Sequence, residues 1–191
     1  MAKKSTVASF LPRDYKAPAQ KSNYLNKFPM GETKFRILTS PVFGYVGWKD
    51  KKPIRTTSLE DFKGIKLDTS MYDLVGVPKY FWAMVIWDYN ESCIRILELT
   101  KLSIIDVITK LSQDKDWGNP LEYDLKVTRS GEGKKTEYSV SPLPHKNVPS
   151  EASKALEKTP VDLQALFRNE DPFASSERDP NEVEGQLKIP F

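Results

Sequence analysis

Apolar and polar positions alternate through much of the chain, with the two-residue period that puts successive side chains on opposite faces of a strand. Thr33, Phe35 and Ile37 alternate with Lys34 and Arg36, which predicts a half-buried strand starting near Met30 with one core face and one basic face. Pro41 breaks the run, and residues 42–48 resume it as a second strand or a bent continuation. Residues 49–78 are polar and poorly periodic, the pattern of a long excursion between strands. Residues 79–89 (KYFWAMVIWDY) form the strongest strand, apolar on both faces, and Asn90-Glu91-Ser92 turn it back into residues 93–99. The period then changes. Leu102, Ile105, Ile108 and Leu111 recur at helical spacing and predict a helix over 101–113, capped by Thr100. After Pro120 the alternation returns over 122–129, and Gly131-Glu132-Gly133 turn it into a strand over 136–141. Two short helices are expected near 150–157 and 160–168, the second capped by Thr159 with Pro160 at its first position and an apolar side of Leu163, Leu166 and Phe167.

About five strands with an inserted helix and no strand-helix-strand rhythm predict a mainly β fold. The leading candidate is a five-stranded OB-fold barrel with an inserted helix, short C-terminal helices and a disordered acidic tail. Residues 1–27 carry six basic side chains against one acid, with two prolines and no sustained apolar period, and are read as a flexible basic arm. The barrel is assigned to 28–148, the helical extension to 149–168, and the tail to 169–191. No apolar run approaches the length of a membrane span or a signal-peptide core, so a cytoplasmic protein is expected.

Charge divides the chain unevenly. The net charge is +3, but residues 169–191 hold two basic and six acidic side chains, which leaves +7 on residues 1–168. A basic body with an acidic appendage suits a polyanion-binding protein whose tail competes with its ligand or regulates it. Cys93 is the single cysteine and His145 the single histidine, which removes an internal disulfide and the usual four-ligand zinc site. No metal or other cofactor is expected.

The chemistry the chain offers is that of single-strand binding, which needs cations along the phosphates and flat rings on which bases stack. Tyr45, Trp48, Lys49, Lys51, Lys52 and Arg55 fall within eleven residues, and Lys79, Tyr80 and Trp82 follow on the central strand. Lys49, Lys51, Lys52, Arg55, Lys79 and Arg36 are the candidate phosphate contacts, and Trp48 and Tyr45 the candidate stacking platforms. Most aromatics in a small β-fold fill its core, and Trp82 and Trp87, on opposite faces of one strand, are candidates for that role. Trp48 lies beside a basic, proline-containing stretch where an exposed ring is expected. Nucleophile and phosphate-loop motifs are missing, His145 sits in a rigid Pro-Leu-Pro-His-Lys exit, and a non-enzymatic role follows.

Five segments in order carry a resemblance. These are residues 31–38 (GETKFRIL), Gly47-Trp48 through Arg55, residues 79–83 (KYFWA), the corner Asp116-Trp117-Gly118-Asn119-Pro120, and Pro142-Leu143-Pro144-His145-Lys146. Together they resemble the single-stranded DNA-binding proteins of tailed bacteriophages over about residues 28–173. The resemblance implies an OB-fold and a role in coating and protecting single strands during replication, recombination and repair. The terminal Ile189-Pro190-Phe191 is similar to the tip of bacterial single-stranded DNA-binding proteins, which recruits replication and repair enzymes. Gln186-Leu187-Lys188 stands where those proteins carry acids. An RNA-binding chaperone and a viral protein-interaction module remain the alternatives at this level. Neither oligomeric state nor a DNA-over-RNA preference is legible in the residues.

Overall fold

The structure is a computed structural model that describes residues 22–69 and 76–173. Over these described residues it is mainly β, built on one mixed eight-stranded sheet that does not close on itself. In chain order the strands are β1 (Tyr24–Leu25), β2 (Gly31–Ile37), β3 (Val42–Lys49), β4 (Lys52–Thr56), β5 (Lys79–Asp88), β6 (Cys93–Leu99), β7 (Tyr123–Ser130) and β8 (Glu137–His145). Helix α1 (Leu102–Gln113) separates β6 from β7, and α2 (Ser150–Lys158) and the single turn α3 (Ala165–Arg168) follow β8. Among the described residues no helix is long and apolar enough to cross a membrane.

The neighbours run β1-β6-β5-β2-β7-β8, with β3 attached to the other half of β5 and β4 attached to β3. The β2–β3 segment is therefore one bent path along β5, pairing through Arg36↔Trp87 before the bend and through Tyr45↔Tyr80 after it. At the bend the Val85 amide donates to the Thr39 hydroxyl, 3.1 Å away, replacing a partner the ladder no longer supplies.

Two apolar clusters lie on opposite faces of β5, which explains why that strand is apolar throughout. On the first face Phe35, Met84, Ile86, Leu97, Leu125 and Val127 pack with Ile104, Ile105 and Ile108 of α1. On the second face Val46, Phe81, Val85, Trp87 and Ile96 pack with Ala152, Leu163, Leu166 and Phe173 of the C-terminal segment. Trp82 and Trp87 fall in different clusters, as alternation requires.

Several sequence expectations are corrected. The five-strand count misses β1 and β4. Tyr24–Leu25 pairs in parallel with β6, and Leu25 and Phe28 are buried, so the folded body starts inside the stretch read as a basic arm. Phe28 stacks on Phe35 and meets Tyr138 of β8 edge-on. The supposed excursion over 49–78 holds β4, which forms a tight hairpin with β3. The stripe of α1 is rotated, because Leu102 is exposed while Ile104 is buried, and Lys101 rather than Thr100 occupies the cap without a side-chain bond. Thr159 and Pro160 do not start the last helix. That helix is four residues long with Gln164 at its cap position, and just ahead of it the Asp162 carboxylate accepts from the Gln164 amide. The folded part also runs past 168, since Phe173 is buried edge-on against Tyr24.

Candidate nucleic-acid interface

Cross-strand register sorts the clustered aromatic and basic residues between the two faces. Phe43 lies opposite Trp82, and Tyr45 opposite Tyr80, so these four rings share the first face. Tyr45 and Tyr80 meet edge-on with centroids 5.6 Å apart, and the Trp82 indole donates to the Tyr80 hydroxyl at 3.3 Å. Tyr80 and Trp82 lean on the edge of the first core cluster, while Phe43 is 60% exposed. One wall of this aromatic surface continues past Trp82 into a small apolar notch of about 170 Å³ bounded by Pro41, Met84, Ile108 and Leu121.

Three lysines lie at the tip of the β3–β4 hairpin, past Tyr45 along the strand. Lys49 and Lys52 are register partners, which places them on the same face as Tyr45, and Asp50 and Lys51 form the two-residue turn. Both turn residues adopt positive φ (51° and 61°), a conformation that favours asparagine or glycine. Asp68 offsets that preference. Its carboxylate accepts from the Asp50 and Lys51 amides at 3.1 and 2.7 Å, and its own amide donates to the Trp48 carbonyl at 2.6 Å. The hairpin tip, and with it three exposed lysines, is thus held by a residue seventeen positions downstream of Lys51. Gly47 admits this brace, because a Cβ there would press on Phe62 and Leu67 at 2.7–2.9 Å.

The remaining candidates do not join the four rings. Trp48 is 47% exposed, as expected beside a basic, proline-containing stretch, but it lies within β3 rather than at a loop margin, and alternation points it to the second face with Pro53. There it borders a cleft of about 460 Å³ shared by Lys51, Lys79, Asp68 and Glu98, a mixed-charge lining poorly suited to a polyanion. Arg55 also turns to that face, and both its Nε and Nη2 donate to one oxygen of Glu98 at 2.9 and 2.6 Å. The most direct correction concerns Arg36. Expected on a basic solvent face, it is fully buried, donating from Nε to Asp124 at 2.8 Å and from Nη1 to the Lys146 carbonyl at 3.0 Å. It cannot reach a phosphate. Ile189, Pro190 and Phe191 lie outside the described residues.

The Asp124 carboxylate collects three cations and a phenol. Besides Arg36, it receives Lys146 at 2.7 Å, Lys34 at 3.2 Å and the Tyr89 hydroxyl at 3.0 Å. Burial pushes its pKa up, but hydrogen bonds from Lys146, Lys34 and Tyr89 and the Arg36 charge outweigh that and hold it below the usual carboxylate range. The Lys146 ammonium is correspondingly raised, mainly by its bond to Asp124.

His145 occupies a structural position. Its ring stacks on Trp117 at 15° and 5.8 Å, and Nε2 lies 2.9 Å from the Trp117 carbonyl oxygen, joining the end of β8 to the corner after α1. Two of the segments singled out in the sequence, around Trp117 and around His145, are therefore neighbours in space.

Phe43 is the site residue that sequence reasoning missed. The signal was available two positions before Tyr45, where the alternation of β3 assigns both rings to one face. Comparison with protein-family models, with curated proteins and with solved structures finds no match in any of the three.

Proposed function

We propose that this chain is a non-enzymatic protein that binds single-stranded DNA without sequence specificity, laying the bases along Phe43, Tyr45, Tyr80 and Trp82. Lys49, Lys51 and Lys52 at the hairpin tip are its phosphate contacts. The observation that carries the reading is the two cross-strand aromatic pairs, with Phe43 well exposed, on a strand whose far end enters a hairpin tip with three exposed lysines. Every base has a π-face, so a row of rings binds strands of any sequence, and lysines neutralise phosphates in a salt-dependent way.

Topology supports the same reading. If the bent β2–β3 path is one strand, then with β5, β6, β7 and β8 it makes a five-stranded open barrel of OB type, with α1 inserted between the third and fourth strands. In such folds the face of the second and third strands is a common ligand surface. The counterpart of the second strand here is β5, which carries Tyr80 and Trp82. The ordered segments that resemble the tailed-phage proteins point to coating and protection of single strands in replication, recombination or repair. Recruitment of partner enzymes by Ile189-Pro190-Phe191 is a separable part of the proposal.

Titration with poly-dT at low and at raised salt tests it, followed by tryptophan fluorescence. Wild type should show quenching and an affinity that falls with salt. Phe43→Ala should weaken binding by roughly 1–3 kcal/mol, the range for loss of one stacking ring. Trp48→Phe should leave affinity nearly unchanged, because Trp48 faces the other way. No salt-dependent binding by the wild type would end the proposal.

A further inference from the structure

The buried carboxylate of Asp124 is surrounded by more positive charge than it can neutralise. Arg36 pairs with its first oxygen, and Lys34 and Lys146 both converge on its second. Among the described residues, three cations against one anion leave an excess of two positive charges in this cluster. The Arg36 guanidinium is fully buried and its Nη2 has no hydrogen-bond partner among the described residues, so water screens little of its charge. The nearby Glu32–Lys126 pair is balanced within itself and supplies no compensation.

The two lysines are the solvent-facing part of this cluster, their side chains 37% and 43% exposed. Sitting 3.2 and 2.7 Å from one oxygen, their ammonium groups are no more than 5.9 Å apart. They repel each other across a low-polarity floor, the Tyr89 ring, whose centroid lies 4.4 Å from Lys34 Nζ and 5.0 Å from Lys146 Nζ. A single oxyanion accepting from both ammoniums at about 2.8 Å spans that separation and cancels charge the carboxylate leaves over. Backbone geometry keeps the site in place, since Tyr89 N donates to the Lys34 carbonyl and Arg36 holds the Lys146 carbonyl.

We infer that Lys34 and Lys146, over Tyr89, form a phosphate-binding site on the second face of the sheet, opposite the aromatic rings. Arg36 is the register partner of Trp87, which belongs to the second-face cluster, and this fixes the side. The ligand class is a phosphate oxyanion, supplied either by the backbone of a bound strand or as free phosphate. With a strand as the source, the inference rests on the proposed function and gives the strand a path around the edge of the sheet. With free phosphate it stands alone.

The test uses the full chain and the pair of substitutions Lys34→Gln and Lys146→Gln, which leave the Arg36–Asp124 pair intact. Inorganic phosphate should raise the melting temperature of the wild type above that in chloride at matched ionic strength, and the double variant should lose this increment. If a strand occupies the site, the double variant should still bind poly-dT, with the slope of log K against log salt shallower by about 0.7, the value for one neutralised phosphate on a single strand. Lys34→Arg with Lys146→Arg should restore whichever effect is lost, which separates lost charge from damaged folding. An effect of phosphate alone identifies free phosphate as the ligand, and an effect on the slope alone identifies the strand. No phosphate increment together with an unchanged slope overturns the site. If the wild type binds no poly-dT at all, the single-strand reading fails, and the phosphate arm alone decides the site.

Discussion

Asp124 shows how far a single side chain can depart from its sequence context. It lies on the polar side of an alternating strand, between Tyr123 and Leu125, yet it is fully buried at the meeting point of Arg36, Lys34, Lys146 and Tyr89. Its pKa is depressed in the fold, so its contribution to stability is complete above the unfolded value of about 3.9 and is lost as pH falls through the folded value. Acid unfolding of the wild type should therefore carry a component from this carboxyl below about pH 4, read from melting temperature against pH. Asp124→Asn should remove that component. It should also destabilise the protein at neutral pH by about 3–5 kcal/mol, because Arg36 keeps a buried charge without its counter-ion. Chemical denaturation at pH 7 measures the second effect. Arg55 with Glu98, and Arg95 with Asp88, repeat the arrangement at less buried positions.

Among the elements, the β3–β4 hairpin does most to define the candidate interface. It brings Lys49 to Lys52, aligns Tyr45 with Tyr80, and depends on two close approaches. At Gly47 the loop side chains Phe62 and Leu67 press against the strand, and at Gly44 the Thr56 carbonyl and the Phe167 ring do so from the other face. A methyl group at Gly44 would collide with the Thr56 backbone oxygen, which has no flexible end to move. Gly44→Ala should accordingly destabilise the protein by about 1–3 kcal/mol, the usual cost of overpacking, seen as a lower denaturation midpoint with little change in slope. The hairpin was not legible in the sequence. Its turn is Asp-Lys where Asn-Gly would be the signal, and the Asp68 carboxylate that makes this turn tolerable lies far along the chain. The rotated stripe of α1 has a similar origin. Periodicity identified a helix, but the position of the sheet chose Ile104 over Leu102 as the buried residue.

The fold as a unit depends on its C-terminal segment. Residues 152–173 supply Ala152, Leu163, Leu166 and Phe173 to a cluster that covers Phe81, Val85, Trp87 and Ile96 on the second face. Removing residues 149–191 should expose this apolar surface and yield a chain that fails to unfold cooperatively and aggregates, as judged by the melting transition and by light scattering. A truncated chain that melts cooperatively at the wild-type temperature would show that the extension is a separate appendage. The two faces thus receive different assignments. The first carries the aromatic surface proposed to bind bases, and the second carries the structural cover and, beside it, the excess charge around Asp124.

Local patterning was enough to determine the strands β2, β5, β6 and β7, the position of the helix between β6 and β7, and the mainly β class. Side-chain alternation and helical spacing are properties of neighbouring residues, and they survive in any tertiary setting. It was also enough to put Trp82 and Trp87 on opposite faces. Tertiary structure alone decided that Arg36 is buried, that Trp48 and Arg55 turn away from Tyr45, and that Phe43 joins Tyr80 and Trp82. Burial of Arg36 requires a carboxylate 88 residues away, and the aromatic surface requires the register between β3 and β5. A chain can state locally which side chains share a face. Which face is covered, and by what, depends on pairing between distant segments, and that is where the proposed site was decided.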